Sequence, residues 1–462
     1  MKKKNAWLKY TEEDLVKLNE ICEDYKSFLT ISKTEREATK EIIKRAEQKG
    51  YKDLEEYIKN NNRILPGDKI YVNNKGKAVA LFNIGTRPIT EGMNILGAHI
   101  DSPRIDLKAN ALYESDGFAY FDTHYYGGIK KYQWVTLPLS LHGVVVKKDG
   151  SKIEISLGEN EEEPVVGITD LLPHLAQEQM KKEGSKLIEG EDLDIIIGNK
   201  PLKTDTKDEK EAVKQNILNL LKEKYDIEED DFLSAEIEAV PAGQARDFGL
   251  DKSMVMAYGQ DDRVCAYTSL EAFLEVEDTQ KTLSCILVDK EEIGSVGATG
   301  MCSHFYDNAI AEICALTGND SPLAVRRVLN HSKMLSSDVN AAYDPLYKSA
   351  MDKRNASEFG QGVVFCKFTG SRGKSGSNDA NAEYIAELRK IMDNANVSFQ
   401  VSELGKVDIG GGGTIAYILA NYNVEVIDCG VGVLSMHAPW EVTSKADIYE
   451  AYRGYIAFLK NA

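Results

Sequence analysis

Two short apolar runs, each closed by residues that carry chemistry, constrain this chain most. One is Asn94-Ile95-Leu96-Gly97-Ala98-His99-Ile100; the other is Thr282–Val288. A strand with apolar residues on both faces must be covered on both sides, as inner strands of α/β sheets are. His99 closes the first run and Asp101 follows it, and Asp289-Lys290-Glu291-Glu292 follows the second. A third strand, Lys333–Ser337, leads to Asp338, and a fourth, Val424–Cys429, leads through a loop to His437. Gly259-Gln260-Asp261-Asp262-Arg263 opens a predicted helix. In open α/β sheets, ligands bind at the carboxyl ends of the strands. Two imidazoles and several carboxylates are therefore expected along one sheet edge.

The surrounding pattern defines the rest of the architecture. Leu15, Leu18, Ile21, Cys22 and Tyr25 recur at helical spacing over 11–28. A second helix is expected over 33–49, capped by Ser32 or Thr34 and ended by Gly50. Strands at Lys69–Val72 and Lys77–Phe82 should turn at Asn73-Asn74. From about 104 to 250 the chain reads as strands and turns. Tyr132–Val146 and Lys152–Leu157 flank Lys148-Asp149-Gly150, an acidic loop runs from Glu159 to Glu163, and one charged helix lies near 207–224. After Asp251, helices are predicted over 261–276, 305–316 and 378–395, with a closing helix at Ile448–Leu459. A chain of 462 residues is too long for one ordinary core. The expected fold is α/β: a mixed sheet sandwiched by helices, built from residues 1–103 and 251–462. A β-rich domain, residues 104–250, is inserted into it.

Composition narrows the function. The formal charge of −18 opposes binding to a phosphate backbone, so nucleic acid is not an expected partner. No apolar run approaches the roughly twenty residues of a membrane span. Met1-Lys2-Lys3-Lys4 imitates the start of a signal peptide, but Tyr10, Glu12, Glu13 and Asp14 follow instead of an apolar stretch. A cytoplasmic protein is expected. The seven cysteines include no CxxC pair and read as reduced thiols.

Taken singly, each motif has an ordinary structural explanation. His99 alone could be a hydrogen-bonded core histidine, and paired acids are commonplace in a chain with 74 of them. Taken together on one sheet edge, imidazoles and carboxylates suit a pair of divalent metals such as zinc, manganese or cobalt. Carboxylates packed this closely would repel one another without cations between them. Such a site requires one carboxylate to bridge two ions about 4 Å apart. Each ion needs a further carboxylate and a histidine. Another carboxylate must remain unligated, to take a proton from a water held by the metals and pass it to the leaving amine. Asp101, two residues beyond His99, is placed to hold that imidazole in one tautomer.

These segments resemble the aspartyl-aminopeptidase (M18) family, within a clan of two-zinc exopeptidases. Ala98-His99-Ile100-Asp101-Ser102-Pro103 is similar to the family's AHTDSP, and Gly259-Gln260-Asp261-Asp262 to its GLDN. Glu291-Glu292-Ile293-Gly294-Ser295 resembles EEVGS, Ser336-Ser337-Asp338 resembles ISAD, and Leu434-Ser435-Met436-His437 matches LSMH. The motifs are collinear across nearly the whole chain. The resemblance implies a phosphorylase/hydrolase-like metallopeptidase domain with an inserted dimerisation domain that also covers substrate. It makes Asp261 the bridging ligand. His99 and Asp338 complete one metal; Glu292 and His437 complete the other. Glu291 becomes the general base, Asp101 supports His99, and the Asp261–Asp262 peptide bond is expected to be cis.

Two stretches depart from the family pattern. Trp134-Val135-Thr136-Leu137-Pro138-Leu139 lacks the charges of the family's Trp-x-Asp-Arg-Asp-Leu, and Gly410 to Gly413 stand where a cysteine-containing variant is common. The expected substrates are peptides with acidic N-terminal residues as one option. Lys367, Arg372 and Lys374 are candidates to pair with a substrate carboxylate, or else form an exposed basic loop. His124 is a further candidate, reaching over a neighbouring subunit's site. Dimers assembled into a dodecamer are implied. A metal-dependent deacylase or carboxypeptidase would use the same constellation, and an inactive scaffold is a third reading.

Overall fold

The computed structural model describes residues 5–203, 210–277 and 279–462. The Met1–Lys4 segment and residues 207–209 of the expected charged helix lie outside these. The chain divides into two units. The first comprises Met1–Ser102, Ala245–Met436 and Glu441–Ala462; the second comprises Pro103–Gln244 with His437–Trp440.

A nine-stranded mixed sheet organises the first unit. Its order is Lys52–Asp53, Lys69–Asn74, Ala78–Asn83, Thr282–Val288, Met93–His99, Lys333–Ser336, Glu425–Gly430, Val363–Cys366 and Phe399–Val401. The four strands from Thr282–Val288 to Glu425–Gly430 run parallel, with Val288 opposite His99 and Ser336 opposite Gly97. All seven residues of both Met93–His99 and Thr282–Val288 are buried. Successive side chains point to opposite faces. Leu96, Ala98, Cys285 and Leu287 accordingly join one apolar cluster, and Ile95, Ile286 and Val288 join another. The first cluster is built with the helices Glu12–Ile31, Gln260–Glu275 and Lys445–Asn461; the second with Phe305–Leu316 and Ala324–Asn330. Each fully buried Ile or Leu contributes about 1.5–3 kcal/mol, so the sheet is fixed from both sides.

Helix entry follows the capping chemistry. Thr11 accepts from the Asp14 N–H and Thr34 from the Glu37 N–H, each in a reciprocal capping box. The second helix therefore starts after Thr34 rather than Ser32. The first β-turn also falls later than expected. Lys69–Asn74 continues through both asparagines, and Lys75 and Gly76 make the turn with φ of 59° and 70°. A five-stranded sheet without sequence warning joins Arg246–Phe248, Met254–Ala257, Glu441–Ser444, Gly432–Leu434 and Asn340–Ala341.

The second unit is built on a six-stranded antiparallel sheet, with Lys152–Leu157, Leu139–Val146, Ala235–Pro241, Arg104–Ser115, Phe118–Tyr126 and Ile195–Gly198 in order. Tyr132–Val146 is not one strand. Lys131–Gln133 forms a 3-10 turn, Thr136 has φ of 61°, and the strand begins at Leu139. Pro138 lacks the N–H that a longer ladder would require. Among the described residues of this unit, an α-helix spans Ala212–Tyr225.

Candidate metal centre

His99 ends its strand and is almost wholly buried. Its Nδ1 lies 3.0 Å from the Asp101 carbonyl oxygen and 3.2 Å from Asp101 Oδ1. Its Nε2 lies 3.3 Å from Asp261 Oδ1, and 3.9 Å from both Glu291 Oε2 and Asp338 Oδ1. One ring nitrogen is thus held from behind, while the other faces three carboxylates. The Asp101 carboxylate also accepts the backbone N–H groups of Glu291 and Glu292, at 3.1 and 3.2 Å. These bonds seat the short 3-10 turn Glu291–Ile293 beyond the end of Thr282–Val288.

Asp261 arrives by a different route. The strand Met254–Ala257 leads through Tyr258 to Gly259, which has φ of 71°. A Cβ at Gly259 would sit 1.9 Å from Arg263 Nη1, so both backbone and space require glycine there. Asp261 and Asp262 keep non-helical angles inside Gln260–Glu275, and the peptide bond between them is cis. Ser102 Oγ donates to the Asp261 carbonyl at 2.6 Å, and the Asp261 N–H donates to Glu441 Oε2 at 2.9 Å. The His99 N–H donates to Asp262 Oδ2 at 3.3 Å.

Three overlapping groups result, with ligand atoms within 4.8 Å of one another: His99, Glu291 and Asp338; His99, Asp261 and Glu292; Asp261, Asp262 and Asp338. Burial, and after it the Asp262 carboxylate, pushes Asp338 well above the usual carboxylate range. Burial raises Asp262 in the same sense. Burial opposes a charged His99, but the Asp101 and Asp261 carboxylates outweigh it and lift the imidazole well above its ordinary value. A set of buried and half-buried carboxylates around one imidazole fits a divalent cation, because a cation relieves the mutual repulsion that otherwise forces protons onto the carboxylates.

The other sequence candidates come from separate segments of the chain. His437 belongs to the second unit, where its Nδ1 is 2.8 Å from the Gly128 carbonyl oxygen. His124 is exposed on Phe118–Tyr126, with Nδ1 2.7 Å from the Tyr125 carbonyl. Lys367 and Lys374 both pair with Asp379, the latter at 2.9 Å, so this chain itself supplies a carboxylate to the basic loop. Arg372 is exposed within that loop, with φ of 43°. The loop is backed by the glycine-rich segment: the Gly370 N–H donates to the Gly412 carbonyl at 2.8 Å, and a Cβ at Gly411 would lie 2.1 Å from Gly370 O. Two members of the centre's surroundings were not legible beforehand. Asp262 was visible only as half of an acid pair, and Glu441, a single acid after Pro439-Trp440, carries no motif signal.

Fold and site together are those of an α/β metallopeptidase. The model of the family described as aminopeptidase I zinc metalloprotease (M18) matches residues 28–459. A Clostridium acetobutylicum protein named "Probable M18 family aminopeptidase 1" is 58% identical over 458 residues, covering 99% of this chain and 98% of that protein. The crystal structure of an M18-family aminopeptidase from Thermotoga maritima matches with a TM-score of 0.95 and 44% identity over 100% of both chains. The mApe1 dodecamer of S. cerevisiae shares the fold, with a TM-score of 0.76 at 18% identity over 95% of this chain and 96% of that one. The chain belongs to the M18 family and is a zinc-metalloprotease-type aminopeptidase.

Proposed function

We propose that this aminopeptidase works with two divalent ions, of which zinc is the first choice and manganese or cobalt alternatives. Asp261 would bridge them, His99 and Asp338 would complete one, and Glu292 with His437 the other. His437 enters this assignment from the sequence resemblance alone. The observation that carries the reading is the His99 imidazole, tied to Asp101 through Nδ1 and turned through Nε2 toward Asp261, Glu291 and Asp338. Bound zinc supplies Lewis acidity that polarises a scissile carbonyl and lowers the pKa of water.

The protein's own groups then divide the work. Asp101 fixes the His99 ring and, through two N–H groups, the turn that presents Glu291. Glu291, partly open to solvent, takes a proton from the attacking water and delivers it to the departing amine. A preference for acidic N-terminal residues rests on Arg372 and His124, since Lys367 already has Asp379 as partner. Assembly of dimers into a dodecamer is supported by the shared fold of the S. cerevisiae dodecamer. A cytoplasmic setting is supported by free cysteines, all buried but Cys302.

The test is hydrolysis of a panel of aminoacyl-p-nitroanilides after reconstitution with zinc, manganese or cobalt, alongside Glu291→Gln. Metal-dependent cleavage, lost about a hundredfold or more in the variant, supports the assignment. Cleavage of N-acyl amino acids in place of aminoacyl amides would turn the reading to a deacylase.

A further inference from the structure

Glu441 heads the strand Glu441–Ser444 and is only 1% exposed. Its strand pairs antiparallel with Met254–Ala257, which places Glu441 opposite Ala257 at the entrance to the turn that delivers Asp261. The Asp261 N–H lies in the first turn of a helix, where no carbonyl of the helix itself can accept it. Glu441 Oε2 accepts it at 2.9 Å instead. From the other side, Ser102 Oγ donates to the Asp261 carbonyl at 2.6 Å. The main chain of Glu441 is clamped as well. Gln260 Nε2 donates to the Glu441 carbonyl at 2.7 Å and to the Val255 carbonyl at 3.1 Å, while Tyr25 OH donates to Gln260 Oε1 at 3.2 Å.

We propose that Glu441 is a positioning residue for the metal centre: it holds the Asp261 peptide, and through that peptide the carboxylate assigned to bridge the ions. The inference rests on the assignment of Asp261 as a ligand. The physical reason is geometric. A ligand on regular helix is oriented by the helix, but Asp261 has φ of −83° and ψ of 106°, so its direction must be set by groups outside the helix. Supporting partners of this kind govern metal affinity by about 10–100-fold.

The experiment compares the full-length wild type with Glu441→Met, Glu441→Gln and Asp261→Asn. Zinc affinity is read by competition with a chelating dye, coordination geometry by the visible absorption of the cobalt-loaded protein, and folding by circular dichroism. Glu441→Met keeps the bulk but removes the acceptor. It should lose about tenfold or more in zinc affinity and shift the cobalt bands. Glu441→Gln keeps an acceptor and should restore both. Wild-type affinity and spectrum in Glu441→Met overturn the proposal, as does a Glu441→Gln variant as impaired as Glu441→Met. If Glu441→Met does not fold, Glu441→Leu, which also lacks the acceptor, takes its place and is read against Glu441→Gln by the same two readouts. Asp261→Asn tests the underlying assignment separately: zinc binding at wild-type affinity in that variant removes Asp261 as a ligand whatever Glu441 does.

Discussion

In the sheet that carries the candidate centre, Met93–His99 and Thr282–Val288 are buried at every position, whereas Lys152–Leu157 of the other unit alternates between covered Ile153, Ile155 and Leu157 and exposed Lys152, Glu154 and Ser156. The charges differ too. The first unit buries Asp101, Asp262 and Asp447 completely. The second places many of its acids in solvent-exposed pairs, such as Lys148 with Asp230 and Lys182 with Glu189. A sheet covered on both faces provides a rigid platform at its strand ends, where carboxylates can be held out of water at fixed separations. A strand open on one face, as Lys152–Leu157 is, requires far less of its sequence.

The largest effect that would break this comparison is catalytic. Glu291→Gln should lower kcat about a hundredfold, equivalent to about 2.7 kcal/mol of barrier, with its melting temperature unchanged. A comparable loss of melting temperature would mean that Glu291 holds the fold rather than the chemistry. Next come matched truncations in the two sheets. Ile286→Ala should cost about 2–5 kcal/mol by urea unfolding. Ile153→Ala, only partly covered, should cost under about 1 kcal/mol. Equal costs would erase the difference between a doubly covered and a singly covered strand.

A smaller effect concerns buried charge. Asp447 accepts the Gly360 and Gly362 N–H groups at 2.9 and 2.7 Å, yet burial pushes its pKa up to about 7, with those bonds acting against the rise and Glu450 adding to it. The folded state therefore binds this proton more tightly than the unfolded chain, whose aspartates titrate near 3.8. Stability from this group is full below about pH 4 and is lost as pH rises through about 7. Asp447→Asn should flatten that slope in melting curves taken from pH 4 to 8; an unchanged slope would exclude Asp447 as its source. The smallest effect lies in the second unit. Lys148→Ala removes a solvent-exposed pair and should leave the urea midpoint unmoved. A clear shift would show that the exposed pairs of this unit form a stabilising network.

Legibility in the sequence followed the same divide. Thr282–Val288 and Phe305–Leu316 occur at the residues that periodicity indicates, because long or doubly buried patterns leave few alternatives. The five-stranded sheet escaped because strands such as Asn340–Ala341 and Gly432–Leu434 are two or three residues long. No periodicity develops over such lengths. Val363–Cys366 escaped for a similar reason: four buried residues do not distinguish an inner strand from any other apolar stretch. The turn near Asn73-Asn74 was placed too early because asparagine favours turns, but here Lys75 and Gly76 adopt positive φ instead.

By itself the sequence determined which residues could take part in the chemistry. His99, Asp101, Asp261, Glu291, Glu292 and Asp338 stand out because each follows a strand or opens a helix whose pattern is local. Only tertiary structure decided how the first-unit residues converge. The pairing of Val288 with His99, and of Ser336 with Gly97, brings three strand ends into line, and that register links residues far apart in the chain. Tertiary structure alone also enlisted Asp262 and Glu441. A hydrogen bond or ion pair between distant segments depends on where the backbone brings two side chains, and local pattern carries no information about that distance.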